Sequence, residues 1–247
     1  MKKAVLVIRE FDEFSRILID KGFEIINLPL IETERLADLS EFESKLEKIE
    51  IYDAIILTSR YAARILAETL RRKNINFGGR VYVLGKRGFE ILQLEDLNLV
   101  FFESANTARE MLEQIAPEDL TGKRFLFVRG EKSLRDVPEF LANRATVDEA
   151  IVYETRNIAV GIDKLNEIAE RFDEKKINCV CFFSPSAAES FLEQFPAETL
   201  HQIKVATIGK TTAGFFEKRN LKVDFVSSKS TAEDFAFSLI DYLEKGF

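Results

Sequence analysis

Along this chain a short unbroken apolar run, a polar loop and a stretch with apolar residues at every third or fourth position follow one another repeatedly. Unbroken apolar runs suit strands buried on both faces, and the wider spacing is one apolar stripe of a helix. This pattern predicts strands over 4–8, 23–31 (interrupted by Pro29), 54–57, 81–84, 99–102, 124–128, 146–153, 180–183, 205–208 and 223–226. Between them it predicts helices over 11–21, closed by Gly22, and over 39–49, 61–72, 87–94, 108–115, 137–143, 164–173, 187–194, 212–219 and 232–244. Strands that alternate with helices imply parallel sheets covered on both faces, an α/β fold.

The pattern is also stated twice. Thr58-Ser59-Arg60-Tyr61-Ala62-Ala63-Arg64-Ile65-Leu66 is echoed by Ser184-Pro185-Ser186-Ala187-Ala188-Glu189-Ser190-Phe191-Leu192. Leu84-Gly85-Lys86 returns as Ile208-Gly209-Lys210, and Thr107-Ala108-Arg109-Glu110 as Thr231-Ala232-Glu233-Asp234. Val7-Ile8-Arg9 returns as Phe127-Val128-Arg129. Echoes kept in one order indicate duplication of a whole α/β unit. Two such units facing each other would form a cleft between matching loops, a usual place for a ligand. Candidate linkers lie at 29–34 and near 151–158, where Glu32-Thr33 matches Glu154-Thr155. Two crossings at repeat-related points could run side by side, so a domain need not be one contiguous half.

Composition narrows the function. A length of 247 residues suits one large domain or two smaller ones, and the repeat favours two. The net charge of −7 argues against a general nucleic-acid binder while leaving room for a local basic pocket. Both cysteines, Cys179 and Cys181, sit in one predicted strand, pointing the same way. With His201 the only histidine and no Cys-x-x-Cys, no metal site is expected, and sparse thiols fit a reducing compartment. The first apolar run meets charge at Arg9 and Glu10, too soon for a signal peptide, and no stretch is long enough to span a membrane. A cytoplasmic protein is expected, with no membrane partner.

Phosphate-loop readings fail. Gly209-Lys210-Thr211-Thr212 resembles the end of a P-loop, but Lys204 stands where the upstream glycine is needed; Gly85-Lys86-Arg87 has Arg80 there. No Gly-x-Gly-x-x-Gly follows a strand. What remains is a set of strand–helix junctions rich in small polar residues: Thr58-Ser59, Ser184-Pro185-Ser186, Gly209-Lys210-Thr211-Thr212 and Ser230-Thr231. Helix capping accounts for most such residues. The functional reading is that free amides at helix starts bind anions at the carboxyl ends of strands. Arg9, Arg129 and Gly130 end the first strands of the two halves, and an arginine there is a solvated strand end or a carboxylate clamp. Lys86 and Lys210 occupy matching loops and add charge, or are plain surface lysines. Tyr153 ends a strand beside the inferred crossing, where half-buried packing and an acid role are both open. One histidine without partners excludes a Ser-His-Asp set.

These residues resemble a known family. Phe182-Phe183-Ser184-Pro185-Ser186-Ala187-Ala188, then Ile208-Gly209-Lys210-Thr211-Thr212-Ala213, then Ser230-Thr231-Ala232-Glu233 is similar to the C-terminal signature of uroporphyrinogen-III synthase. Val128-Arg129-Gly130 followed by Ile151-Val152-Tyr153 resembles its central signature, with Thr58-Ser59 and Leu84-Gly85 as first-half counterparts. Tyr61 stands where asparagine is common, and Arg87-Gly88 replaces a Thr-Ala pair, so the first half is the weaker match. The resemblance implies two flavodoxin-like three-layer α/β domains with parallel sheets, joined by a two-stranded β ladder. One would comprise residues 1–32 plus 157–247, the other residues 35–150.

The implied reaction is cyclisation of hydroxymethylbilane, a linear tetrapyrrole, to uroporphyrinogen III, with inversion of ring D and loss of water. The product feeds haem, sirohaem and cobalamin synthesis. No cofactor is implied, and a monomer without nucleic-acid partners is expected. The tyrosine matching Tyr153 is the family's favoured candidate to assist departure of the hydroxyl, with Thr231 and Ser184 as substrate contacts. The wider substrate-binding set is Arg9, Thr58, Ser59, Gly85, Lys86, Arg129, Gly130, Ser186, Gly209, Lys210 and Thr211. The alternative is a non-catalytic two-domain cytosolic protein that binds an anionic metabolite between its domains. A flavodoxin-like redox protein would need a Ser/Thr-rich loop after the first strand, and Arg9-Glu10-Phe11-Asp12 is wrong for that.

Overall fold

The computed structural model describes residues 3–174, 176–229 and 231–245, so Ser230 of the predicted junction lies outside the described residues. The chain divides into two compact units, Met1–Glu32 with Arg156–Phe247, and Thr33–Thr155.

The discontinuous unit is built on strands β1 (Ala4–Val7), β2 (Glu24–Asn27), β9 (Cys179–Phe182), β10 (Lys204–Thr207) and β11 (Phe225–Val226). Their order is β11-β10-β9-β1-β2, every neighbour parallel. Alternate residues of β1 serve opposite faces, as pleating requires. Val5 and Val7, with Cys179, Cys181 and Ala206, meet helices α1 (Glu13–Asp20) and α10 (Ala232–Lys245) through Phe14, Leu18, Phe235 and Leu239. Leu6 and Ile8, with Val180, Phe182 and Val205, meet α7 (Ile162–Asp173), α8 (Pro185–Gln194) and α9 (Lys210–Glu217) through Ile168, Phe191 and Phe216.

The continuous unit carries β3 (Ile31–Arg35), β4 (Ala54–Leu57), β5 (Arg80–Val83), β6 (Asn98–Phe101), β7 (Arg124–Gly130) and β8 (Thr146–Asn157), in the order β3-β8-β7-β4-β5-β6. From β8 to β6 all pairs are parallel. Helices α2 (Ser40–Leu46), α3 (Arg60–Lys73) and α4 (Lys86–Leu92) cover one face with Phe42, Leu66 and Leu92. Helices α5 (Ala108–Leu112) and α6 (Asp136–Leu141) cover the other with Met111, Val137 and Leu141.

Both sheets share one spatial plan. In the first, β1 lies between β2 and β9; in the second, β7 lies between β8 and β4. The echo of Val7-Ile8-Arg9 in Phe127-Val128-Arg129 pairs β1 with β7, and the echo of Thr58 in Ser184 pairs β4 with β9. The two units are therefore the same flavodoxin-type sheet entered at different strands. Each draws its strands from both halves of the sequence repeat.

Several predicted elements change. The strand expected over 146–153 runs on to Asn157 as β8, so Tyr153 lies within it and β8 takes up most of the predicted linker 151–158, and the strand expected over 223–226 keeps only Phe225–Val226. The strand expected over 23–31 breaks into β2 and β3 around Pro29, which has no N–H for a ladder, and β3 takes up most of the predicted linker 29–34. The Leu36 amide donates to the Val152 carbonyl, and the Ile158 amide to the Leu30 carbonyl. One number rises as the other falls, so β3 and β8 run antiparallel as a two-stranded ladder. The helix expected over 39–49 ends at Leu46 and is followed by a 3₁₀ turn, Ile49–Ile51. The helix expected over 108–115 ends at Leu112, where the amides of Gln114 and Ile115 bond three residues back instead of four.

Candidate functional site

In each unit the predicted site residues collect at the carboxyl ends of the parallel strands. In the continuous unit, Ser59 follows β4 and caps α3, its Oγ accepting the Tyr61 amide at 3.2 Å, with Thr58 just before it. Gly85 follows β5 and precedes α4 at φ +86°, a conformation that favours glycine. Lys86 opens α4, its exposed ammonium 3.8 Å from Glu90.

Arg129 and Gly130 end β7, with a register shift between them, and Gly130 pairs with Tyr153 of β8. A Cβ on residue 130 would lie 2.4 Å from the Tyr153 ring and 2.9 Å from its hydroxyl, so the ring occupies space that only glycine leaves open. The ring also meets Tyr61, centroids 5.8 Å apart. Tyr153 is half-buried against the core of this unit.

Arg129 is occupied within its own unit. Its Nη1 donates to the carbonyls of Gly130 (2.8 Å) and Glu131 (2.9 Å). Its Nε faces Glu149 Oε2 as an ion pair, the two side chains 13% and 25% exposed. These two buried atoms lack a hydrogen bond of regular geometry among the described residues. Arg135 reaches the other oxygen of Glu149 at 3.2 Å.

In the discontinuous unit, Arg9 lies just past β1, 3.1 Å from Asp12 and with its guanidinium 4.3 Å from the Phe183 ring centroid. Asp12 itself caps α1 by accepting the Phe14 amide. Ser184 caps α8 by accepting the Ala187 amide at 3.1 Å; Pro185 opens that helix and Ser186 follows, half-buried. Gly209 caps α9 in extended backbone at φ 177°, and Lys210 and Thr211 form the first turn. Thr231 accepts the Asp234 amide at 3.1 Å and donates to Asp234 Oδ2 at 2.7 Å. That hydroxyl, with Lys229, outweighs burial and holds the Asp234 carboxyl below its ordinary value.

Topology sets six of these residues apart. Neighbouring strands whose connections leave in opposite directions open a crevice at their carboxyl ends, the place where open α/β sheets bind ligands. Those pairs are β1 with β9 in one unit and β7 with β4 in the other. The first is bordered by Arg9 and Ser184, the second by Arg129, Gly130, Thr58 and Ser59. Sequence reasoning missed Glu149 and the ring contact of Tyr61. The only hint of Glu149 was the acidic pair Asp148-Glu149 inside a predicted strand.

Cys179 and Cys181 are fully buried with Sγ atoms 4.0 Å apart, and burial, followed by the neighbouring thiol, pushes Cys181 well up. Among the described residues no group of three or more His, Cys, Asp and Glu side chains could hold a metal ion, and no helix is long and apolar enough to cross a membrane.

Two flavodoxin-type sheets with polar helix caps and an arginine at each switch point define a class of two-unit α/β protein. The comparisons carry this further: the family model described as Uroporphyrinogen-III synthase HemD matches residues 12–236. The chain belongs to the uroporphyrinogen-III synthase family. It is 30% identical over 167 residues, 67% of either chain, to a uroporphyrinogen-III synthase of Chlorobaculum parvum. It is 23% identical to that of Schizosaccharomyces pombe over 99% of both chains. Its fold is similar to the crystal structures of a Thermus thermophilus uroporphyrinogen III synthase mutant (TM-score 0.71, 15% identity, 98% and 99% of the chains covered) and a Helicobacter pylori uroporphyrinogen-III synthetase (0.63, 20%, 98% and 100%).

Proposed function

We propose that this chain cyclises hydroxymethylbilane to uroporphyrinogen III, with inversion of ring D and release of water, using side chains and backbone amides alone. Family membership supports the reaction class. The observation that carries the residue assignment is the placement of Tyr153 opposite the carboxyl end of β7, its ring packed against Gly130 and Tyr61.

In this reading the Tyr153 hydroxyl donates a proton to the hydroxyl that leaves the substrate as water. The cation left behind is captured by the ring D carbon that already carries a methylene bridge. The older bridge bond then breaks and re-forms at the free carbon of that ring, which releases a proton, so the overall reaction consumes none. The rest of the task is positioning: a flexible chain must be held in one conformer so that the correct carbon attacks. The substrate is rich in carboxylates. Arg9, Lys210, and the helix starts at Ser184–Ser186, Gly209–Thr211 and Thr231 supply charge, hydroxyls and free amides of the kind that bind them. Thr58, Ser59, Gly85 and Lys86 supply the counterpart set in the continuous unit. Arg129 and Gly130 shape the loop beside Tyr153. We place the enzyme in the cytoplasm as a monomer, a setting that suits two free, buried thiols.

The test generates hydroxymethylbilane in situ and, after oxidation, separates uroporphyrin isomers I and III by chromatography. A shift from isomer I, the spontaneous product, to isomer III is expected. Persistent isomer I with folded protein would remove the assignment.

A further inference from the structure

We infer that Glu149 is a positioning residue that sets the place of the Tyr153 ring through Arg129; its catalytic consequence rests on the reading above, its structural consequence does not. Glu149 lies on β8, four residues before Tyr153, while its side chain reaches across to β7. There it pairs with Arg129 Nε, and Arg129 Nη1 in turn holds the carbonyls of Gly130 and Glu131.

Those two carbonyls belong to the turn that frames the tyrosine. The Gly130 amide donates to Ser133 Oγ at 3.1 Å, the Ser133 amide to the Gly130 carbonyl at 3.3 Å, and the Glu131 amide to the Tyr153 carbonyl at 2.9 Å. The Tyr153 ring rests on the Cα of Gly130 with no room for a methyl group. A shift of this turn therefore moves the ring directly. The turn sits at the register shift between Arg129 and Gly130, where the ladder is interrupted and side chains must hold the backbone instead.

The charges are arranged for this task. Arg129 Nη1 donates both bonds, so the grip on the two carbonyls depends on the orientation of the planar guanidinium, which the pairing at Nε helps to set. Glu149 holds that side, and Arg135 and the Lys45 ammonium, which donates to the Glu149 carbonyl at 2.7 Å, hold Glu149. Removing the carboxylate charge leaves Arg129 in a half-buried place without its counter-ion, and the grip on the turn loosens.

The experiment compares the parent with Glu149→Gln and Glu149→Asp. The chain has five tyrosines and no tryptophan, so ring-labelled tyrosine gives a short NMR spectrum in which Tyr153→Phe assigns the Tyr153 signal. Glu149→Gln is expected to shift that signal while that of Tyr82, buried on β5 and not adjacent to β8, stays in place. It is expected to lower kcat by about ten- to a hundredfold with KM within twofold, the size of effect that a small misplacement of a reacting group produces. Glu149→Asp, which keeps the charge, is expected to restore part of both. A Tyr153 signal unmoved in folded Glu149→Gln would overturn the inference. If the parent makes no isomer III, the catalytic reading falls while the NMR comparison still decides the positioning.

Discussion

The ring of Tyr153 lies where a side chain on residue 130 would have to be, its carbon atoms 2.4 Å from the position of a Cβ. Replacing Gly130 by Ala therefore forces either the turn or the ring to move. Overpacking of this kind costs about 1–3 kcal/mol. Gly130→Ala is expected to lower the unfolding free energy from urea titration by that amount and to reduce isomer III formation more than the fold is weakened, read by activity per folded molecule.

Tyr153→Phe tests the hydroxyl alone. The ring contacts with Tyr61 and Gly130 survive, so circular dichroism and thermal unfolding should match the parent. Loss of a general acid reduces turnover by roughly a hundredfold or more. A variant as fast as the parent would take the tyrosine out of the chemistry.

Ser184 has two duties to separate. Its Oγ caps α8, and the proposed function gives it a substrate carboxylate as well. Glycine at an N-cap costs only a few tenths of a kcal/mol. Ser184→Gly should therefore leave stability nearly unchanged while raising KM for hydroxymethylbilane in steady-state assays. An unchanged KM would assign the hydroxyl to capping alone.

Asp224 links stability to pH. Burial opposes its charge, but Lys222, the Val205 amide at 3.0 Å and Lys204 outweigh it and hold the carboxyl below its ordinary value of 3.8. A depressed carboxyl contributes stability that is present above the unfolded value and is lost as pH falls through the folded one. Urea unfolding should show Asp224→Asn less stable than the parent at pH 7, with the gap closing below about pH 4.

Thiol reagents should find nothing to react with. Cys179 and Cys181 are fully buried and Cys181 is held as a thiol by that burial. The thiolate is the reactive form, so labelling should wait for unfolding and follow its rate. Rapid labelling of the native protein would contradict the buried placement.

The parts of the fold that could be read from sequence are those where one local rule decides. Runs such as Ala4–Val7, Ala54–Leu57 and Cys179–Phe182 are apolar throughout because helices cover both of their faces. Ser59, Ser184 and Thr231 stand out because a cap must offer an oxygen to free amides. The edge strand β3 leaves no mark in the hydrophobic pattern, because Ile31–Arg35 is largely exposed and polar; the two-stranded ladder came only from the resemblance and the paired crossings. The partner of Arg129 escaped notice for a different reason: Glu149 sits on the adjacent strand, and no spacing rule joins residues on separate strands. Sequence showed which side chains stand at strand ends; only the fold showed that Arg129 turns inward to its own loop.

The composite make-up of the discontinuous unit has a consequence for how the protein is made. The Ala4 amide is bonded to Asn178 Oδ1 across 174 residues of chain, and β1 has β9 as its inner neighbour. On a ribosome the segment 33–155 is complete while β1 and β2 still wait for β9, β10 and α10 to emerge. Val5, Leu6, Val7 and Phe14, which end fully covered, stay uncovered through most of translation. The duplicated plan that gives the enzyme two matching sheets thus obliges the earliest strands to be the last to find shelter, and makes them the stretch most in need of a chaperone.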